Sequence, residues 1–140
     1  MKKTTGFSLI EVMVVVAIVA ILAAVAMPAY TEYVMRGKLT EAHSNLAALR
    51  TAAEQYFQDN RTYVGFGCAA ATVTAKYFTY TCPTLQATTY QIVATGVAGE
   101  NMNGFVLSID DTNTRRTTGV ASGWTAPATN CWVLRKDGSC

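Results

Sequence analysis

Four cysteines carry the clearest chemistry in this sequence, namely Cys68, Cys82, Cys131 and Cys140. Thiolates can bind zinc, but zinc sites of this kind usually contain C-x-x-C pairs, and no two of these cysteines have that spacing. An even number of cysteines in a chain with an export-type N-terminus instead predicts disulfides in an oxidising compartment. All three pairings of four cysteines are possible. Proximity along the chain favours Cys68–Cys82 and Cys131–Cys140.

The other reactive side chains form no recognisable catalytic or metal-binding set. The single histidine, His43, has no cysteine or carboxylate at metal-ligand spacing, and we expect it on the solvated side of a helix. Asp110 and Asp111 offer oxygen ligands, but their spacing is not that of a known calcium loop. No Ser–His–Asp or Cys–His arrangement is recognisable. The sequence therefore predicts a protein that is not an enzyme and uses no metal or cofactor.

Two basic pairs stand close in sequence to tryptophans: Arg115-Arg116 and Arg135-Lys136, with Trp124 and Trp132. Cations interleaved with aromatic rings are typical of surfaces that bind nucleic acid. Such pairs are more often ordinary solvated positions, and the net charge of +2 is too small to indicate a nucleic-acid-binding protein by itself. A weak contact with DNA, or with a surface receptor, therefore stays open as an alternative.

The N-terminal segment indicates the compartment in which the cysteines and basic residues lie. Two lysines in the first three residues precede sixteen apolar residues at positions 12–27. That run is longer than the apolar core of a secretory signal, about 7–15 residues, and no usual cleavage site closes it. A helix over Phe7–Tyr30 would be about 36 Å long, enough to cross a hydrocarbon core of about 30 Å. Glu11 is unusual for a passive anchor, because a carboxylate in a membrane span is costly and marks a functional position.

Gly6, Phe7 and Glu11, followed by the apolar run, resemble the class III signal of type IV pilins and their relatives. The resemblance implies that prepilin peptidase cuts between Gly6 and Phe7, that Phe7 is then N-methylated, and that residues 1–6 are lost as a leader. It also implies that residues 7–30 first anchor the protein in the inner membrane, with the C-terminal domain in the periplasm, and later form the filament core. Glu11 and the amino group of Phe7 would be costly alone in hydrocarbon. Pairing between neighbouring subunits would neutralise both and set their register.

The helical pattern continues beyond the apolar run. Pro28 removes one backbone hydrogen bond, so it predicts either a kink or a helix end. Apolar residues recur every three or four positions from Leu39 to Tyr56 and form one helical face, which favours continuation. We expect a helix over about Phe7–Gln58. Its first half would project, and residues 31–60 would be amphipathic and packed on a globular domain, as in the type IV pilins that the leader resembles.

The sequence pattern of residues 61–140 predicts the globular domain on which the second half of the helix packs. Runs rich in β-branched and aromatic residues, separated by glycines, predict strands at Thr89–Thr95 and Phe105–Ile109, a weaker strand at Arg115–Val120, and short strands at Tyr77–Thr81 and Trp132–Leu134. An antiparallel sheet with one helix on its face is an α+β arrangement. It resembles the type IV pilin fold, and a loop closed by Cys131 and Cys140 resembles the terminal contact loop of that family.

The resemblance implies a structural subunit of type IV pili, most similar to PilE-type minor pilins. Such filaments serve twitching motility, adhesion and DNA uptake. The implied partners are other pilins in homo- and hetero-oligomers, prepilin peptidase, the inner-membrane assembly platform and, before assembly, the membrane itself. The mature protein would then lie in an extracellular pilus. A major pilin and a type II secretion pseudopilin remain alternatives, and the four cysteines count against the pseudopilin.

Overall fold

The computed structural model describes residues 6–68 and 75–140. These residues contain one long helix and one sheet: α1 Leu9–Asn60, β1 Phe78–Leu85, β2 Tyr90–Gly96, β3 Val106–Asp110 and β4 Arg115–Gly119, with a 3-10 turn at Ala98–Glu100. The chain divides into two compact units, one ending at Val34 and the other comprising Met35–Cys140. Each unit is described by itself below.

The first unit contains the apolar part of α1. The hydroxyl of Ser8 accepts a hydrogen bond from the backbone N–H of Glu11 at 3.3 Å and so caps the helix start. The helix continues through Pro28, whose carbonyl accepts a bond from the Thr31 hydroxyl at 2.9 Å. A helix end at Pro28 is therefore wrong, whereas the kink stays a prediction. Among the described residues one helix, α1, is long and apolar enough to cross a membrane, a test that a signal sequence would also pass.

In the second unit, α1 packs on the sheet through one face. Its buried residues are spaced by three or four positions, which places them in a single stripe: Leu39, Ala42, Leu46, Leu49 and Ala53. They belong to the same core as Phe78, Ile92, Leu107 and other residues of the sheet. The predicted α+β fold, a long helix with a small antiparallel sheet, is thus confirmed.

The sheet is a simple meander in the order β1-β2-β3-β4, with every neighbouring pair antiparallel. Ile109 of β3 pairs with Arg115 of β4, and Leu107 pairs with Thr117. Partners across a ladder share a face, so Arg115 and Thr117 lie on the same side of the sheet as the buried Leu107 and Ile109. Arg116, one residue along, lies on the opposite side.

Polar contacts also join the helix to the sheet. Glu41 accepts a hydrogen bond from the backbone N–H of Tyr77 at 2.9 Å, just before β1. Glu54 accepts the hydroxyls of Tyr63 and Tyr90, each at 3.1 Å. Hydrogen bonds to a charged acceptor contribute more than neutral ones, roughly 1.5–3 kcal/mol each. These bonds fix the axial position of α1 on the sheet.

The connection between β2 and β3 requires glycine at Gly96. A Cβ at this position would overlap the carbonyl oxygen of Met102, which belongs to the same loop. The carbonyl of Val97 accepts the N–H groups of Glu100 and Met102, at 3.1 and 3.2 Å, and folds the loop tightly back. The close approach of the two backbones therefore excludes any larger residue at Gly96.

Three predicted strands agree with β2, β3 and β4 to within one residue at each end. The predicted strand near Tyr77–Thr81 exists as β1 and extends to Leu85. The predicted strand at Trp132–Leu134 is wrong, because this segment is irregular. Its backbone N–H groups bond to a threonine hydroxyl and to the carbonyl of Ser139 rather than to a neighbouring strand.

Candidate functional site

The residues predicted for processing and assembly lie at the start of the first unit. Gly6 has no atom within 4 Å of the position that a Cβ would take, so its backbone is open. Phe7 is 82% exposed, and Glu11 lies in the first turn of α1 with its side chain exposed. Large apolar side chains from Phe7 to Tyr33 are at least 50% exposed. Within this unit, the described residues therefore form a long, exposed apolar surface.

Two disulfides organise the second unit. Cys68 is joined to Cys82, with Cα atoms 5.7 Å apart, and this bond links the segment after α1 to β1. Cys131 is joined to Cys140, with Cα atoms 6.2 Å apart, and closes residues 131–140, called the terminal loop below. All four cysteines are among the described residues, and none of them is free. A disulfide of this kind stabilises a fold by roughly 2–4 kcal/mol.

The terminal loop holds its own shape through hydrogen bonds. The N–H groups of Leu134 and Arg135 donate to the carbonyl of Ser139, at 2.9 and 3.1 Å. Asp137 accepts the N–H and the hydroxyl of Ser139, and these two bonds lower the pKa of its carboxyl group. Because this internal network fixes the turn, Arg135 and its neighbour Lys136 are presented to solvent on an ordered backbone.

Trp132 anchors the terminal loop in the core. Its indole N–H donates to the carbonyl of Ser108 at 2.8 Å, and the side chain is buried. The ring of His43, from α1, stacks on it with centroids 5.4 Å apart and an angle of 22° between planes. The guanidinium carbon of Arg115 lies 4.8 Å from the indole centroid, a cation–π contact. The Trp132 side chain thus contacts His43 of the helix, the backbone of Ser108 in the sheet and the guanidinium of Arg115.

Thr117 of β4 holds both backbone neighbours of this tryptophan. Its hydroxyl accepts the N–H of Val133 at 2.9 Å and donates to the carbonyl of Cys131 at 2.9 Å. Sequence reasoning missed Thr117, because nothing in its neighbours marks it. The hydroxyl satisfies two backbone groups that the irregular path of the loop leaves without sheet partners.

His43 was expected to be solvated, and this expectation is wrong. The imidazole bonds to the backbone of Val133, while its Nε2 is buried without a hydrogen-bond partner among the described residues. Burial lowers the pKa of His43 below its usual value of 6.5, the bond to the backbone of Val133 partly opposes this, and the positive charge of Arg115 lowers the pKa further. The position is four residues after Leu39 and three before Leu46, so helical spacing could have placed it beside the buried stripe.

A shallow cleft opens beside these groups. It has a volume of about 200 Å³ and is lined by His43, Arg115, Cys131, Trp132, Leu134 and Cys140. The other predicted aromatic, Trp124, is not part of it, since its ring packs edge-on against Phe105 with centroids 5.0 Å apart. The structure therefore brings Arg115 and Trp132 together and places Trp124 in a different contact.

Basic side chains concentrate around β4 and the terminal loop. Residues 115–140 contain four exposed cations against one carboxylate, whereas residues 35–114 contain five basic and six acidic side chains. We call the four cations Arg115, Arg116, Arg135 and Lys136 the cationic edge. Asp110 lies close to it. Burial would raise the pKa of Asp110, but bonds from Thr112 and Thr114 and the charge of Arg116 hold it below its usual value.

A second contact between cations and an aromatic ring was not foreseen from the sequence. The ammonium groups of Lys38 and Lys76 lie 4.9 and 5.1 Å from the ring centroid of Tyr77. Lys38 also donates to the carbonyl of Glu100 at 2.6 Å.

Asp110 and Asp111, considered above as calcium ligands, do not belong to a cluster of metal-binding side chains among the described residues. In the described ranges no three His, Cys, Asp or Glu side chains lie close enough to hold a metal ion.

Comparison with known proteins agrees with this architecture. Residues 1–27 match the prokaryotic N-terminal methylation motif, and residues 28–104 match the family described as type IV minor pilin ComP, DNA uptake sequence receptor. The chain therefore belongs to the type IV pilin family, and its matches support the role of a minor pilin. This is a family of structural subunits.

Individual proteins similar in sequence to this chain are named as fimbrial proteins. The fimbrial protein EcpC of Eikenella corrodens is 35% identical over 123 residues, which cover 84% of this chain and 67% of that protein. A fimbrial protein of Pseudomonas aeruginosa is 48% identical over 64 residues, 46% of this chain and 42% of that one. A probable minor fimbrial protein of Dichelobacter nodosus is 45% identical over 67 residues, 48% of this chain and 42% of its own length.

A solved structure shares the fold. The non-core minor pilin PilV of Neisseria meningitidis superposes with a TM-score of 0.58 at 17% sequence identity, over 70% of this chain and 98% of that one. At this identity the likeness concerns the fold alone. The long helix with its small antiparallel sheet is thus a type IV pilin fold.

Proposed function

We propose that this chain is incorporated into a type IV pilus as a minor subunit whose mature form begins at Phe7, after prepilin peptidase cuts the Gly6–Phe7 bond and Phe7 is N-methylated. The exposed apolar surface of residues 7–33 carries this proposal, because in water such a surface requires a covering partner. Before assembly the partner is the inner membrane, with the second unit in the periplasm. After assembly through the inner-membrane platform, the helices of neighbouring pilins replace the lipid.

Glu11 supplies the polar contact in this apolar assembly. It lies in the first turn of α1, where the helix dipole already favours a carboxylate. Pairing with the amino group of Phe7 in the next subunit would neutralise two charges that hydrocarbon disfavours. Pro28 would introduce a kink in the apolar part of the helix.

We further propose that the exposed second unit contacts DNA through the cationic edge. The observation that supports this is the guanidinium of Arg115, which is held 4.8 Å from the indole centroid of Trp132 beside the ordered terminal loop. A guanidinium fixed on an aromatic ring loses less freedom when it pairs with a phosphate. The family matched by residues 28–104 is described as a DNA uptake sequence receptor, which agrees with such a contact.

A major pilin is the second candidate. The type IV major pilin protein PilA of Myxococcus xanthus is 45% identical over 64 residues, although these are 46% of this chain and 29% of that protein. Both kinds of subunit need the same leader, helix and fold. They differ in abundance within the filament.

Intact mass measurement of sheared filaments tests the assembly proposal. We expect a chain that begins at methylated Phe7 and carries two disulfides in the sheared fraction, at low abundance. High abundance would indicate a major pilin. The same mature chain found only in membranes would indicate a pseudopilin, and an uncut chain would contradict the proposed processing.

Binding of a mixed-sequence DNA duplex by the mature chain in detergent micelles tests the DNA contact. Because Arg116 lies on the opposite side of the sheet from Arg115, we count three phosphate contacts, which predict a salt slope near −2.7, so affinity should fall roughly 40-fold between about 50 and 200 mM salt. Arg135→Gln should reduce the slope by about 0.9. Arg61→Gln, which removes an exposed cation outside the cationic edge, is the matched control and should leave the slope unchanged. Equal effects of both variants, or no binding at low salt, would refute the contact.

A further inference from the structure

We propose that His43 is a positioning residue that holds the terminal loop and Arg115 in place for DNA only while its imidazole is neutral. This inference rests on the proposed DNA contact, since the terminal loop and Arg115 carry that contact. The inference adds regulation by pH to the DNA contact. Acid would release the loop from the helix and weaken DNA binding.

The terminal loop is held by the sheet, by the helix and by the segment after Trp124, where the N–H of Thr125 donates to the carbonyl of Lys136 at 2.9 Å. On the sheet side, the hydroxyl of Thr117 binds the backbone on either side of Trp132. On the helix side, His43 stacks on the indole and bonds to the backbone of Val133. Arg115 lies over the same indole. A change at His43 therefore reaches the guanidinium through one shared ring.

A proton on His43 would destroy this arrangement. Its Nε2 is buried without a partner among the described residues, so protonation would create a buried N–H donor that nothing accepts. The added charge would also face Arg115 of β4, the charged group that acts on this imidazole. A neighbouring charge of the same sign disfavours the protonated form.

The other groups around the imidazole compensate the charge only in part: the bond to the backbone of Val133 favours the protonated form and raises the pKa of His43, but burial outweighs it. The terminal loop contributes the backbone of Val133 and two cysteines that do not titrate in their disulfide. Its carboxylate, Asp137, is bonded to Ser139. On α1, the nearby Glu41 carboxylate already accepts the backbone N–H of Tyr77. Relief of the charge therefore requires the imidazole to leave its site.

The sign of the pH dependence follows. The pKa of His43 is lowered in the closed arrangement and returns to about 6.5 once the loop is released. The neutral form thus stabilises the closed arrangement above pH 6.5, and this stabilisation is lost as the pH falls through the lowered value. Each unit of difference between the two pKa values changes the closed-to-released ratio about tenfold.

Simple electrostatics predicts the opposite effect on DNA. Protonation adds a positive charge next to the cationic edge, which by itself should strengthen binding to phosphates. Release of Arg115 and the loop should weaken it. The direction of the change in acid therefore distinguishes a positioning role from a charge effect.

The first measurement uses the full chain in detergent micelles without DNA. His43 is the single histidine, so its imidazole nitrogens give one set of NMR signals that can be followed between about pH 5 and 8. We expect a midpoint below that of a free histidine. The Val133 amide and the Trp132 indole N–H should shift with the same midpoint. An ordinary midpoint, or an indole and amide that do not follow it, would overturn the inference.

The second measurement is DNA affinity against pH, with the same mixed-sequence duplex at fixed salt. The unmodified chain should lose affinity several-fold between about pH 7 and 5, whereas His43→Gln should show no such loss. In the His43→Gln background, Ser44→His places a titrating ring at an exposed neighbouring position and should strengthen binding in acid. Tighter binding of the unmodified chain in acid would overturn the inference.

The two measurements separate the two proposals. If no DNA binds at neutral pH, the DNA contact is refuted, and the positioning role is still decided by the NMR titration alone. If DNA binds at neutral pH but the NMR signals of the Trp132 indole and the Val133 amide do not shift with the titration of His43, the DNA contact stands and the positioning role is wrong. Poor folding of His43→Gln would not affect the NMR result, which uses the unmodified chain.

Discussion

Thr117→Val is the sharpest test of how the terminal loop is held. Valine has nearly the same outline as threonine and replaces with a methyl group the hydroxyl that binds the backbone of Cys131 and Val133. Each lost bond contributes about 1 kcal/mol, and the N–H of Val133, whose side chain is fully buried, is left without its partner. We expect the closed loop to lose about 2 kcal/mol, which raises the open population about 30-fold.

Hydrogen exchange at the Val133 amide and the reduction rate of Cys131–Cys140 report that opening directly. Both should rise by about 30-fold in Thr117→Val, while reduction of Cys68–Cys82 should stay unchanged as an internal reference. Thr117→Ser keeps the hydroxyl and should behave like the unmodified protein within a factor of about two. Equal exchange in the valine and serine variants would refute the reasoning.

Three further outcomes are expected. Gly96→Ala should strongly destabilise the second unit in urea unfolding, because its Cβ would overlap the carbonyl of Met102, whereas Gly99→Ala, with no atom within 4 Å, should be nearly neutral. Burial raises the pKa of Tyr80 to about 12, so unfolding experiments should show stability falling from about pH 10 towards that value as the unfolded chain ionises first. Glu11→Ala should leave leader cleavage intact but deplete the protein from sheared filaments, and normal incorporation would contradict its pairing role.

The parts of this fold that sequence could predict depend on local patterns. The apolar run and the stripe from Leu39 to Ala53 follow helical spacing, and β2 to β4 follow β-branched runs bounded by glycines. The two cysteine pairs lie 14 and 9 residues apart, which is close enough for proximity to suggest them. Each of these signals is contained in a short window of sequence.

The missed features depend on contacts between distant residues. His43 and Trp132 are separated by most of the second unit, and nothing near His43 in sequence indicates an indole above it. Lys38 and Tyr77 are far apart in sequence and meet where Glu41 bonds the segment before β1 to the helix. The false strand at Trp132–Leu134 has the residue types of a strand. Its backbone donors, however, are used by Thr117 and Ser139.

The ring formed by Cys131 and Cys140 is covalently closed only on itself, across a sequence separation of 9 residues. No disulfide ties it to the sheet. It docks through Trp132, through the hydroxyl of Thr117 and through the carbonyl of Lys136, which accepts the N–H of Thr125 at 2.9 Å. Because these contacts at Lys136 and Thr117 use backbone groups of the loop, we expect the exposed side chains of Arg135 and Lys136 to be replaceable while the backbone of the loop keeps its path. What this loop recognises can then change through its exposed side chains without any change in the core of the second unit.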